Sequence, residues 1–441
     1  MLASLAYSNT NNGRISAAEA SLLDLESMGR ANVRPISPDS HWRTDEKRRT
    51  YEMKSIGSVF ALTLAMVGCS GLAIPTGSPA APTSTGDVVP NYKTLLDFDG
   101  ADGSDPTSSL IALKGALYGT TYTGGTYNDG TVFSINAAGK EGVLHSFGNA
   151  VDGSEPFGGL VALGGRMYGT TFRGGATNGG IVFSVDTEGN ERVLYNFGVG
   201  HGSPLPDGRN PEATLTVLNG TLFGTTYNGG LYGNGTIFNV NAAGDESVFY
   251  NFGPGGDGAH PYAGLLALNG TLYGTTSAGG AHGEGALFSF SAGKERVLYS
   301  FRGGSDGARP DGGLIALNGT LYGVTYKGGA HDGGTAFSAS TQGKERVLES
   351  FGSTGDGVDP FAGLIVLNGM LYGTTTQGGT HREGVAFAMT TAGKESVLYA
   401  FGSHGEGAAP FAALTDWNGM LYGVTAAGGA TNNGTLFQIS P

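Results

Sequence analysis

The chain holds a single cysteine, Cys69, among 441 residues. An internal disulfide and a cysteine-rich zinc centre are therefore both excluded. Charge is equally scarce: Asp, Glu, Lys and Arg make up 14% of the chain, with 24 basic against 37 acidic side chains and a formal net charge of −13. A phosphate-binding surface needs the opposite sign, so nucleic acid is excluded as a partner. Two catalytic signatures are also missing. There is no Gly-x-x-x-x-Gly-Lys-Ser/Thr phosphate loop and no His-Glu-x-x-His motif. What the chain has instead is glycine, 81 residues without a Gly-X-Y period. Each would cost roughly 1 kcal/mol in a helix interior, which excludes a helical fold. At 39% hydrophobic and 10% aromatic, the chain still has the material for a packed core.

The amino-terminal part differs from the rest. Residues 1–54 carry 8 Lys/Arg and 7 Asp/Glu and show no sustained apolar period. Ser55 to Ile74 is uncharged and contains Ile56, Val59, Phe60, Leu62, Leu64, Met66 and Val67, with Lys47, Arg48, Arg49 and Lys54 on its amino-terminal side. Read from Met53, this is a secretory signal: a positive start, an apolar stretch of about twelve, then small residues. Residues 1–52 are then an over-long start, untranslated or unstructured. Met66-Val67-Gly68-Cys69 resembles a bacterial lipobox, with Met66 where Leu is usual. On that resemblance 53–69 is a lipoprotein signal peptide and Cys69 the lipidated first residue of the mature protein. The alternative is an uncleaved signal anchor over 56–74, long enough to span a bilayer. Both keep the positive flank in the cytoplasm and export the remainder. The expected location is the cell surface or periplasm, with membrane contact through the lipid or anchor alone. Residues 70–90, with Pro75, Pro79, Pro82 and Pro90 among Ser, Thr and Gly, read as a tether.

From residue 91 the chain repeats itself. A Leu-Tyr-Gly-Thr-Thr theme recurs at Tyr118, Tyr168, Phe223, Tyr273, Tyr322, Tyr372 and Tyr422, a period near 50. A second aromatic follows at Phe133, Phe183, Phe238, Phe288, Phe337, Phe387 and Phe437, and a third stands at Phe98, Phe147, Phe197, Phe252, Phe301, Phe351 and Phe401. One unit shows the reason. Residues 313–317 form a short apolar strand, Asn318-Gly319 suits a two-residue hairpin turn, and Thr320 to Tyr326 is a second strand. A glycine-rich loop over 328–334 leads to a third strand, Thr335 to Ser338, and residues 346–351 alternate as a fourth. This pattern predicts an all-β, seven-bladed propeller of four-stranded blades over 91–441. The last unit stops after its third strand, so Tyr92–Phe98 must supply the fourth and close the ring.

These repeats resemble the glycine-rich tandem repeats of the GloVer (Gloeobacter/Verrucomicrobia) type. The likeness rests on Leu-Tyr-Gly-Thr-Thr, on paired glycines and on Asp-Gly-x-x-Pro, and covers about four fifths of the chain. It implies an exported, anchored protein of largely unknown activity. The paired glycines also resemble kelch blades, without the kelch tryptophan.

Hairpin logic places the Asn-Gly and Ala-Gly-Lys-Glu turns on one face of the disk and the long connections on the other, where any site belongs. The inter-blade connection carries a carboxylate in every unit: Asp102, Asp152, Asp207, Asp257, Asp306, Asp356 and Glu406. The functional reading is a ring that binds Ca²⁺; the favoured one is a turn in which each carboxylate accepts backbone N–H bonds and Pro sets the bend. No other cofactor is expected. Positions that break the symmetry are better candidates. Three successive blades pair histidine with a carboxylate: His282 with Glu284, His331 with Asp332, His381 with Glu383. Such pairs suit acid–base or metal chemistry and support a secreted hydrolase or lactonase. The other segment is aromatic: Tyr122, Tyr127, Tyr227 and Tyr232, with Phe172 and Arg173 between them. Flat aromatic faces beside polar loops suit glycan or protein partners. Blade three adds an insertion, Gly198 to Asp207, that includes His201. The leading expectation is a monomeric, surface-anchored binding module; the enzyme and a structural cell-envelope repeat are the alternatives.

Overall fold

The computed structural model describes residues 92–149, 151–198, 207–402 and 405–441. The signal region, Cys69, the tether and His201 lie outside the described residues. Seven four-stranded antiparallel sheets follow one another along the chain, each in inner-to-outer order except at the seam. In the fifth blade the strands are Ile315–Leu317, Thr320–Thr325, Thr335–Ser340 and Glu345–Ser350. The inner strand is shorter than the apolar run because Gly313 and Leu314 belong to the wall of the central channel. The first turn has Asn318 at φ 52 and Gly319 at φ 77, the left-handed pair that matches the twist of a tight hairpin.

The repeated motif has a separate job for each residue. In every blade the glycine of Leu-Tyr-Gly pairs with the third-strand phenylalanine, as Gly274 does with Phe288. A Cβ on Gly274 would stand 2.5 Å from Phe288 Cζ and 2.9 Å from Leu265 Cδ2, so glycine there makes room for the ring. The tyrosine packs against the next blade; Tyr118 clusters with Met167, Phe183 and Val185. The first threonine donates to a carbonyl of the next blade, Thr170 to Ala213 at 3.1 Å and Thr374 to Ala412 at 3.0 Å. The second clamps the loop that follows, donating to the carbonyl two residues on in all seven blades.

Each seam is sealed by an aromatic pair. The phenylalanine ending one blade meets the third-strand phenylalanine of the next at ring separations of 4.9–5.3 Å, mostly edge-to-face. That geometry suits the ring quadrupoles and adds to the gain from burial. The ring closes as its repeat count requires. Lys93–Asp97 pairs antiparallel with Thr435–Ile439, completing the last blade beside Met420–Thr425 and Thr415–Trp417. Phe98 then crosses to Phe133 of the first blade, and Tyr92 stacks on Tyr399 at 4.1 Å.

Candidate functional site

The inter-blade connections converge on the ring axis. The residue before the proline of each connection has positive φ in all seven blades: Asp105, Glu155, Asn210, His260, Arg309, Asp359 and Ala409, at 52–60°. None is glycine, and left-handed backbone costs such residues energy unless its surroundings hold it. Two backbone bonds do so. The N–H donates to the preceding blade's loop, as Glu155 to Asp129 O at 2.9 Å, and the C=O accepts from the end of the second strand, as from Phe172 N at 2.9 Å. The backbone is thus the same in every blade while the side chain is free to differ.

The residue after the proline is a second such position: Thr107, Phe157, Glu212, Tyr262, Asp311, Phe361 and Phe411. Four of these meet across the axis. Ring separations are 5.5 Å for Phe157–Tyr262, 5.0 Å for Tyr262–Phe361 and 5.2 Å for Phe361–Phe411. They bound a cavity of about 270 Å³, lined by residues of all seven blades. Glu212 and Asp311 also line it, at 9% and 3% exposure. Burial, reinforced by Asp311, pushes the Glu212 carboxyl up to about 8. Burial likewise raises Asp311, against the opposing pull of Arg309, whose Nη2 donates to Asp311 Oδ2 at 2.9 Å. Desolvation drives the Tyr262 hydroxyl well above its ordinary value, with Glu212 and Asp311 adding to it.

Further aromatic and charged side chains surround this centre. Tyr122 touches Phe157 and its hydroxyl donates to Glu155 Oε2 at 2.7 Å, beside which Arg173 Nε lies at 3.6 Å. Tyr227 contacts Tyr262 and stacks with His260 at 4.7 Å. Tyr326 contacts Phe361 and carries Arg309 and Lys327 over its ring at 4.9 and 4.5 Å, while Lys327 Nζ donates to Asp359 at 2.7 Å. Of the aromatic candidates from sequence, Tyr122, Phe172, Arg173 and Tyr227 belong to the connections around the mouth. Tyr127 and Tyr232 do not; they stand on outer loops, 50% and 57% exposed.

The other candidates stay apart. His282, His331 and His381 are exposed on separate loops, where Asp332 accepts from Gly328 N at 3.1 Å and His381 lies 3.3 Å from Thr380 Oγ1. Six of the seven connection carboxylates bind their own loops. Asp102 accepts from Asp99 N at 2.8 Å, Asp152 from Gly148 N at 3.0 Å, Asp207 from Gly198 N at 2.9 Å and Asp257 from Gly253 N at 2.7 Å. Asp306 accepts from Arg302 N at 2.9 Å and Asp356 from Gly352 N at 3.2 Å; Glu406 accepts Gly429 N through its backbone carbonyl at 2.8 Å. Among the described residues no group of three or more His, Cys, Asp or Glu is placed to hold a metal ion. Sequence reasoning missed Glu212, Tyr262, Asp311, Phe361 and Phe411. The signal was a column of dissimilar residues just after an invariant proline.

Seven four-stranded blades about an axial channel, with long connections gathered at one mouth, define a seven-bladed β-propeller. The chain belongs to the Gloeobacter/Verrucomicrobia repeat family, which matches residues 83–206, 143–337 and 291–441. None of the curated proteins matches it in sequence. Among solved structures it is similar to virginiamycin B lyase from Staphylococcus aureus, with TM-score 0.51, 11% identity, and coverage of 80% of this chain and 99% of that one. A gluconolactonase from Xanthomonas campestris gives TM-score 0.37 and 13% identity over 59% of this chain and 78% of that one. Identities this low speak to the fold alone.

Proposed function

We propose that this chain is an exported, membrane-anchored propeller that binds an extracellular glycan or a protein partner on its long-loop face. One observation carries the reading: the two positions flanking the connection proline keep one backbone but present six kinds of side chain before the proline and five after it across the seven blades. A scaffold that only needed to close would repeat those residues as it repeats Leu-Tyr-Gly. Tyr122, Phe172, Tyr227 and Tyr326 supply flat apolar faces, and Glu155, Arg173, Arg309, Lys327 and Asp359 supply donors and acceptors beside them. The lipobox-like Cys69, or the anchor 56–74, holds the protein at the membrane, and 70–90 tethers the ring away from it.

Binding of the full-length protein to an array of bacterial and plant polysaccharides tests this. Tyr122→Ala combined with Tyr227→Ala should weaken binding of the best ligand at least tenfold, about 1.4 kcal/mol. Undiminished binding in that variant, lost instead on Tyr127→Ala with Tyr232→Ala, would move the site to the outer loops and overturn the mouth as the binding surface.

A further inference from the structure

The axial cavity differs in chemistry from the rim around it. Glu212 Oε2 and Asp311 Oδ1 are buried, on residues at least nine-tenths buried, and neither oxygen has a hydrogen-bond partner of its own, although the Tyr262 hydroxyl lies beside the Glu212 carboxyl and Ser277 and Arg309 lie beside that of Asp311. Buried acceptors in folded proteins are nearly always satisfied, so the pair calls for a donor that enters the cavity. Once Glu212 ionises the charge is unbalanced too: two carboxylates then face one guanidinium, that of Arg309, which already occupies Asp311 Oδ2. Its walls include Phe157, Tyr262, Phe361 and Phe411, and aromatic ring faces attract cations.

We propose that the axial cavity is a binding site for a small organic primary ammonium, with Glu212 and Asp311 accepting its N–H bonds and the four aromatic residues as its walls. An ammonium brings three donors and no acceptor, which suits two unsatisfied carboxyl oxygens. The volume of about 270 Å³ equals roughly nine waters at ~30 Å³ each, room for a short arylalkylamine. A calcium ion fits less well, because it takes six to eight oxygens and no third carboxylate among the described residues joins the pair. This site lies inside the rim and shares Arg309 and Tyr227 with it, but it does not depend on the rim's ligand.

The buried pair also predicts a proton. Glu212 faces the Tyr262 hydroxyl and Asp311, Asp311 faces Arg309, and Tyr227 lies near both carboxyls. With its carboxyl raised to about 8, Glu212 is mostly protonated at neutral pH, and an arriving cation must displace that proton.

Calorimetric titration of the full-length protein with 2-phenylethylamine, 2-phenylethanol and calcium chloride decides the matter. The amine should bind at least tenfold more tightly than the alcohol. Its affinity should rise about tenfold per pH unit between 6 and 8, with a heat that changes with the buffer's ionisation enthalpy. Glu212→Gln should abolish the pH dependence and weaken binding at pH 8 at least tenfold. The wild-type comparison of amine with alcohol stands even if that variant fails to fold. Equal binding of amine and alcohol, a flat pH profile, no binding of the amine at pH 8, or binding of calcium alone would each overturn the proposal.

Discussion

Glycine acts here in two physically different ways. In the hairpin turns it supplies left-handed backbone, as at Gly319. Opposite the third-strand phenylalanine it supplies space, and there no positive φ is involved. Gly274→Ala places a methyl group 2.5 Å from the Phe288 ring, which is flanked by buried Leu265 and Leu272. Overpacking of this kind costs about 1–3 kcal/mol. A urea titration should show that loss. Gly142→Ala is the control: it meets only Ser134 Oγ at 3.7 Å on an exposed outer strand and should change stability by less than about 0.5 kcal/mol.

At the level of strands, the outer edge of the ring stores titratable groups. The outer strands of blades two to six carry Glu191, Glu246, Glu295, Glu345 and Glu395 at their first or second position, each half-buried with one carboxyl oxygen lacking a partner. Burial is the main cause that pushes all five up to about 7, and a connection carboxylate such as Asp207, Asp257 or Asp306 adds repulsion. The folded state therefore holds more protons than the unfolded chain between about 4.5 and 7. Stability is greatest below that window, falls as pH climbs through it and levels off above. The melting temperature should be higher at pH 5 than at pH 8, by less than full burial would give, because solvent screens half-exposed groups. Replacing all five with Gln should flatten the difference. A melt that rises from pH 5 to pH 8 would show that the carboxyls ionise normally in the fold.

Across the whole molecule, closure is the cooperative event. Without Lys93–Asp97 the seventh blade loses its outer strand, and Thr435–Ile439 becomes an open edge. The Phe98–Phe133 and Tyr92–Tyr399 contacts go with it. Deleting residues 92–98 should lower the melting temperature by well over 5 °C and promote association through the exposed edge, measurable by calorimetry and light scattering. An unchanged melt would mean that the blades are stable without closing.

The architecture was legible in the chain because each blade solves the same local problem. Asn318-Gly319 dictates a hairpin, Gly274 must face Phe288, and a missing fourth strand at one end must be met at the other. Strand limits moved by one or two residues: the third strand of blade five runs to Ser340, since the pairing of Ser340 with Thr320 outweighs the polar sequence there. The aromatic patch divided, because residues close in the repeat, such as Tyr122 and Tyr127, lie at different radii of the disk. The axial centre was legible only after folding. Glu212 and Asp311 are 99 residues apart, in different blades, and nothing local marks either as buried. Periodicity determines which residues share a position in the blade; only the closed ring decides which of those positions meet across the axis.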